Sequence, residues 1–327
     1  MARYSEEMDE TGINQTTEIP VEEILRDELA HGDAVLGTIA PILGHLVINS
    51  TNVLFSDEIV ANIRGMAASV AAQLLAEYAK TANGSSIEEA IEDNQNILAN
   101  ELLANAEFLS HCHALTIERQ LTEKLYSRSA IDTVLSPMMQ ALISSDDSAT
   151  ASTAMAALAS QARFIQQQRR MELPLTELPG DLFHEVVLSW RNFAGSEADE
   201  LAVKAEMQLR SRYDEGVSRL GLYAKLVAGM GQGLRAAMSV SHSGVALFLS
   251  ALAAGSKQHR DVATLSTNDR QLGRFALGLR ATGLKPQEVE EQFLLIHPDI
   301  ALPEGFDLLR SDRAAQMLAT SGGRSNG

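Results

Sequence analysis

The chain has 327 residues, 45% of them apolar and 21% charged, with a formal net charge of −17. That length builds one large core or two ordinary domains, and the composition is globular rather than disordered. A single cysteine excludes an internal disulfide and a four-cysteine zinc site; with aromatics at 5%, Ala and Leu carry the apolar load, which favours packed helices over sheets.

Residues 1–19 are polar and acidic, and the composition predicts a disordered tail. They contain no apolar h-region of a secretory signal, so a cytoplasmic location is expected. Pro20 suits a first helical position, and VEEILRDELAHG reads as a short helix with Gly32 just past its end. Asp33 caps a second helix, which Pro41 should kink or split. A third begins at Ser56. Its Ile59, Ile63, Met66, Val70 and Leu74 recur at three and four, which is one helical face, and Asn83-Gly84 stops it.

Ser86-x-x-Glu89 has the form of a capping box. No Gly or Pro follows until Leu125, so one long helix, or two broken near Asn100, is expected. Ser129-x-x-Asp132 should open the next, kinked by Pro137. SSDDSATAS is a turn, and an alanine-rich helix runs from it to Met171.

Arg169 and Arg170 then lie in a last helical turn, where cations offset the negative end of the dipole. Pro174 forbids continuation, and Pro179-Gly180 leads into DLFHEVVLSWRNF, whose spacing restarts a helix. Leu173, Leu175 and Leu178 should be buried and pin this connector. Trp190 and Phe193 read as core or interface anchors.

Ser196-x-x-Asp199 caps a helix through about Leu226, followed by a glycine-dotted apolar run to Gly255. Thr267 or Asn268 opens a helix that Gly283 closes. Pro286 opens another that Pro298 stops, and Ser311 caps the last. No hairpin or βαβ pattern occurs, and no clean repeat period. The uncharged stretches Ala34–Ser56 and Ala236–Ser256 are too polar for membrane spans, so they read as buried helix and a membrane is disfavoured as partner.

Four places invite chemistry, and each has a plainer explanation. His111-Cys112-His113 suggests a metal or thiolate, but successive helical residues diverge by about 100°. A buried Cys between two partly exposed imidazoles, with Glu107 paired to His111, is the expected arrangement. Gly229-Met-Gly231-Gln-Gly233 suggests a phosphate loop, yet it lacks a preceding strand and the closing Lys-Ser/Thr. Residues 268–297 have helix-turn-helix spacing. Their second helix, however, carries Glu288, Glu290 and Glu291, while Arg270, Arg274 and Arg280 lie on the first, which disfavours nucleic acid. Phe293, Leu294 and Ile296 would then be core residues of an ordinary hairpin. Arg163, Arg169 and Arg170 offer a receptor for an acidic partner or phosphate, against plain dipole compensation for the last two. No nucleophile elbow, H-E-x-x-H or Walker pattern is present.

The charge is polarised along the chain. Residues 1–100 carry net −13, residues 101–200 net −7 and residues 201–327 net +3. A cationic partner for the acidic half, or self-association, fits that layout.

The sequence therefore predicts an all-α protein, a multi-helix bundle or irregular array. It divides into a tail at 1–19, an acidic N-terminal helical subdomain at 20–172, a connector at 173–180, a C-terminal helical subdomain at 181–319 and a flexible tail at 320–327. The leading functional expectation is a non-enzymatic interaction or regulatory module without cofactor. Its rivals are an enzyme or ligand-binding protein with a site near Cys112 or Gly229–Gly233 and a DNA-binding regulator using the hairpin at 268–297.

Overall fold

The computed structural model describes residues 21–48, 57–82, 87–194 and 200–321. The N-terminal tail, the Ser56 and Ser86 caps, the Asn83-Gly84 stop and the Ser196 cap lie outside the described residues, as does the predicted C-terminal tail from 322 on; its first two residues, Thr320 and Ser321, belong to the last helix. Within them the protein is all-α, and no strand occurs.

Helix α1 (Val21–Ile48) is a single helix, where the sequence predicted two. Gly32 does not end it. It sits where a Cβ would stand 2.7 Å from Gln271 Oε1, and its carbonyl accepts Gln271 Nε2 at 2.6 Å. Pro41 does not break it either. The carbonyl four residues back belongs to Gly37, which is exposed, so water can take the place of the lost donor.

Helix α2 (Asp57–Ala82) packs on α3 (Ile87–Ala104), burying Ile63, Met66, Val70 and Leu74 on the predicted face. The break before α4 (Ala106–Ser129) falls at Asn105, not Asn100. Asn105 Oδ1 accepts the N–H groups of Glu107 and Phe108, an N-cap that the sequence reading passed over.

Ser129 ends α4 rather than starting a helix, and Ala130 follows it in the left-handed region with φ 53. Helix α5 (Pro137–Ile143) starts at Pro137 instead of kinking there, because Ser136 caps it and the first helical position needs no N–H. Asp147 caps α6 (Ser148–Arg169).

The connector after α6 is a strap laid across α2. Gly65 of α2 admits it, since a Cβ there would stand 2.4 Å from Met171 Cβ. Gln73 grips it like a second backbone: Nε2 donates to the Leu173 carbonyl at 2.8 Å and Oε1 accepts the Leu175 N–H at 3.0 Å. Leu173, Leu175 and Leu178 are buried as expected. Helix α7 (Gly180–Phe193) then buries Phe183, Val187 and Trp190, and Phe193 is only half-buried.

The helix predicted up to Leu226 is in fact two. Helix α8 (Glu200–Arg212) stops before a 3-10 turn at Glu215–Val217, and Ser218 caps α9 (Arg219–Gly229). The glycine run becomes a 3-10 stretch, Gly231–Met238, then the short α10 (Val240–Ser243) and the buried α11 (Val245–Ser256). Helix α11 has 12 residues, too few to span a bilayer. Among the described residues one helix, Asp57–Thr81, is long and apolar enough to do so, and its inner face belongs to the core.

Helix α12 (Arg260–Leu265) was not foreseen. Then follow α13 (Leu272–Ala281), α14 (Pro286–Ile296) and α15 (Ser311–Ser321). Two large apolar clusters result. One gathers α9, α11, α13, α14 and α15 with the start of α1, and the other gathers α2, α3, α7 and α8 with the strap. Both draw residues from each side of 173–180, so the apolar packing does not part at the strap.

Candidate functional sites

Helix α4 is the axle between the two clusters. Every residue from His111 to Glu118 is buried, so this helix is covered on all sides. Its interior polar groups must therefore find partners inside the protein.

They find them on α12. His111 and Glu118 are seven apart and share one face of α4. Opposite stand Asp261 and Arg260. His111 Nδ1 lies 2.8 Å from Asp261 Oδ2, replacing the expected pairing with Glu107. Glu118 takes Arg260 through two bonds of 3.0 and 3.1 Å. From α9, Arg219 reaches the same carboxylate with bonds of 2.6 and 3.0 Å, while its guanidinium stacks 3.6 Å over the Phe164 ring. Gln161 accepts a further bond from Arg219.

One buried carboxylate thus holds two guanidiniums, in the bidentate geometry that makes such pairs strong. Burial alone would raise the Glu118 carboxyl, but Arg219 and then Arg260 outweigh it and hold it down at about 2. Burial likewise opposes ionisation of Asp261, and His111, His259 and Arg260 together bring its carboxyl below the ordinary value.

The predicted chemical residues are placed as follows. His111 and His113 are both fully buried rather than partly exposed. Burial lowers His113 to about 4. Cys112 is buried too, and its thiol is pushed up by burial and by the charge of Asp261, the opposite of what a thiolate nucleophile needs. Among the described residues no three of His, Cys, Asp and Glu gather as metal ligands. His184 meets Arg210 while Glu185 accepts Asn105 Nδ2, so these neighbours serve different partners.

Gly229 and Gly231 face open space at the end of a helix, with no strand before them. In the hairpin, Arg274 is buried and donates to Asp33, Gln258 and Ser321. Arg280 is spent on the carbonyls of Leu284 and Leu309. Both cations are therefore closed to phosphate. Phe293 and Ile296 are core residues, but Leu294 is exposed beside Glu290 and Glu291.

Arg163, Arg169 and Arg170 are exposed, and none has a carboxylate partner among the described residues. Surface arginines elsewhere are mostly paired: Arg119 with Glu58 and Glu123, Arg210 with Glu206, Arg212 with Glu77, Arg235 with Glu288, and Arg313 with Glu22. Among the described residues Arg128, near the end of α4, and Arg270, in the turn before α13, likewise have no carboxylate partner. On α6, Ser152, Met155, Ala156, Ala159, Arg163 and Arg170 recur at three, four and seven and are all exposed, so they form one outward face. Met155 is 60% exposed, and α6 contains no acid.

A shallow crevice opens under the strap between α6 and α9, with about 10 Å³ of room, enough for one water-sized group.

Sequence reading missed Glu118, Arg219, Arg260 and Asp261. The one local signal was His111 and Glu118 on the same face of an otherwise apolar helix. No protein-family model, curated protein or solved structure matches the chain.

Proposed function

We propose that the protein is a non-enzymatic docking module that binds an acidic helical partner along the outer face of α6. The supporting observation is that face itself: Ser152, Ala156 and Ala159 around the exposed Met155, then Arg163 and Arg170, with Arg169 at its edge, the three arginines without a carboxylate partner among the described residues. Small residues let a partner helix come close. The arginines supply orientation and a long-range pull on acidic surface. The buried ion seam along α4 serves as scaffold, since its charges are spent on each other and face no opening large enough for a substrate.

Self-association is the second reading. Residues 1–100 carry net −13 and so match the α6 face of another copy.

The test is affinity capture from lysate, with native mass measurement in parallel. The wild type is compared with an Arg163→Glu, Arg169→Glu, Arg170→Glu variant at low and high salt. The reading expects acidic proteins, or a second copy, to be held by the wild type alone and released by salt. A bare monomer with no captured protein, or equal capture by the reversed-charge variant, counts against it.

A further inference from the structure

Two outward helix faces of this chain are opposite in sign. The first is the α6 face: from Ser148 to Arg170 there are three arginines and no acid. The second is on α14, where Gln287, Glu290, Glu291 and Leu294 recur at three and four and are all exposed. The 3-10 turn Phe306–Leu308 packs on α14 and leaves Leu308 79% exposed. From Pro286 to Leu309 there are six acids and no lysine or arginine. One of them, Glu288, is spent on Arg235 and on the Lys285 N–H. Glu290, Glu291, Asp299, Glu304 and Asp307 have no cationic partner among the described residues.

The faces also match in shape. Ser152, Met155, Ala156 and Ala159 stand at i, i+3, i+4 and i+7, the four corners of a hole in a helix surface. Three of the corners are small. Leu294 is the exposed leucine of α14, with Glu290 and Glu291 one turn N-terminal to it. Placed antiparallel, with Leu294 in the hole, α14 brings those carboxylates toward Arg163. By axial rise the centre of the hole lies about 11 Å from Arg163, and Leu294 about 5 Å from the glutamates. The long arginine side chain covers the difference. The same arrangement sets the negative end of the α6 dipole beside the positive end of α14.

Within one molecule α6 packs on α5 and α9, and α14 packs on α13, so both outer faces stand open. We infer that the outer face of α14 receives the α6 face of a second copy, with Leu294 seated among Ser152, Met155, Ala156 and Ala159 and with Glu290 and Glu291 on Arg163. The two patches differ, so the contact is head-to-tail and propagates into a ring or an open chain. This rests on the α6 reading above and names its acidic partner.

Purified full-length protein is followed by sedimentation velocity at up to about 0.2 mM, at low and high salt. One variant carries Arg163→Glu, Arg169→Glu and Arg170→Glu, and another carries Glu290→Arg and Glu291→Arg. All five positions are exposed, and circular dichroism checks that each variant folds. The wild type is expected to form oligomers that salt disperses. Each variant alone should associate at least about tenfold more weakly, since like charges then face each other. An equimolar mixture of the two should associate again, because each reversed face meets its opposite.

A weakened α6 variant beside an unaffected α14 variant overturns this inference while the α6 reading stands, its acidic partner lying elsewhere. An unaffected α6 variant sinks both. Two weakened variants that do not recover on mixing overturn it as well. A wild type that stays monomeric overturns it and leaves α6 open to an acidic partner other than this chain. Leu294→Glu, a single exposed change, should also weaken association, and unchanged association in that variant counts against the inference in the same way.

Discussion

Replacing Glu118 by Gln removes the carboxylate that the Arg219 and Arg260 guanidiniums share, leaving the shape of the site almost unchanged. The Glu118 carboxyl sits at about 2 against an ordinary 4.5. At about 1.4 kcal/mol for each tenfold in proton affinity, that gap is worth about 3 kcal/mol. Breaking a buried ion pair by deleting one partner costs about 3–5 kcal/mol by mutational precedent, so the two routes agree. The folded-state value is depressed, so this stability is fully present above about 4.5 and is lost as the pH falls toward about 2. Urea unfolding followed by circular dichroism, at neutral pH and at steps down to about 2.5, measures it. The variant should be less stable by about 3–5 kcal/mol at neutral pH, and its deficit should shrink once the pH drops below about 4.5. A loss under about 1 kcal/mol, or a deficit that does not change with pH, would show that the seam's charges do not contribute as their geometry implies.

Two further outcomes follow from the fold. Cys112 should resist a water-soluble thiol reagent at neutral pH until denaturant is added, because burial and Asp261 both oppose its thiolate; rapid labelling of the native protein would contradict this. Ala130 closes α4 with φ 53, its N–H bonded to the Tyr126 carbonyl, so Ala130→Gly should stabilise by about 0.5–1 kcal/mol in the same urea assay, and a loss would mean that the methyl group packs usefully where it is.

Most of the helical chain was legible in the sequence; the helix ends, and the short α12, were not. The periodicity of Ile63, Met66, Val70 and Leu74 found its buried face because that signal is local. The burial of Leu173, Leu175 and Leu178 was also foreseeable, since proline spacing and alternating leucines act within a few residues. Gly32 and Pro41 misled because both read as stops, and tertiary packing against Gln271 and solvent at Gly37 decided otherwise. The seam along α4 was hidden for a different reason. Its bonds join Glu118 to residues 101 and 142 positions away, and nothing in the local pattern of α9 or α12 says which carboxylate Arg219 or Arg260 will meet. Arg163, Arg169 and Arg170 were singled out early, but whether they were free depended on the absence of a nearby acid, which only three-dimensional placement decides.

Leu25 and Leu29 share one cluster with Leu121 and Leu125 of α4 and with Met317 and Leu318 of α15, and Glu22 pairs with Arg313. The two ends of the chain are thus stitched together, and the covering of the first helix is completed only once the last is in place. At roughly 5–20 residues per second of synthesis, that closure comes on the order of tens of seconds after α1 is made.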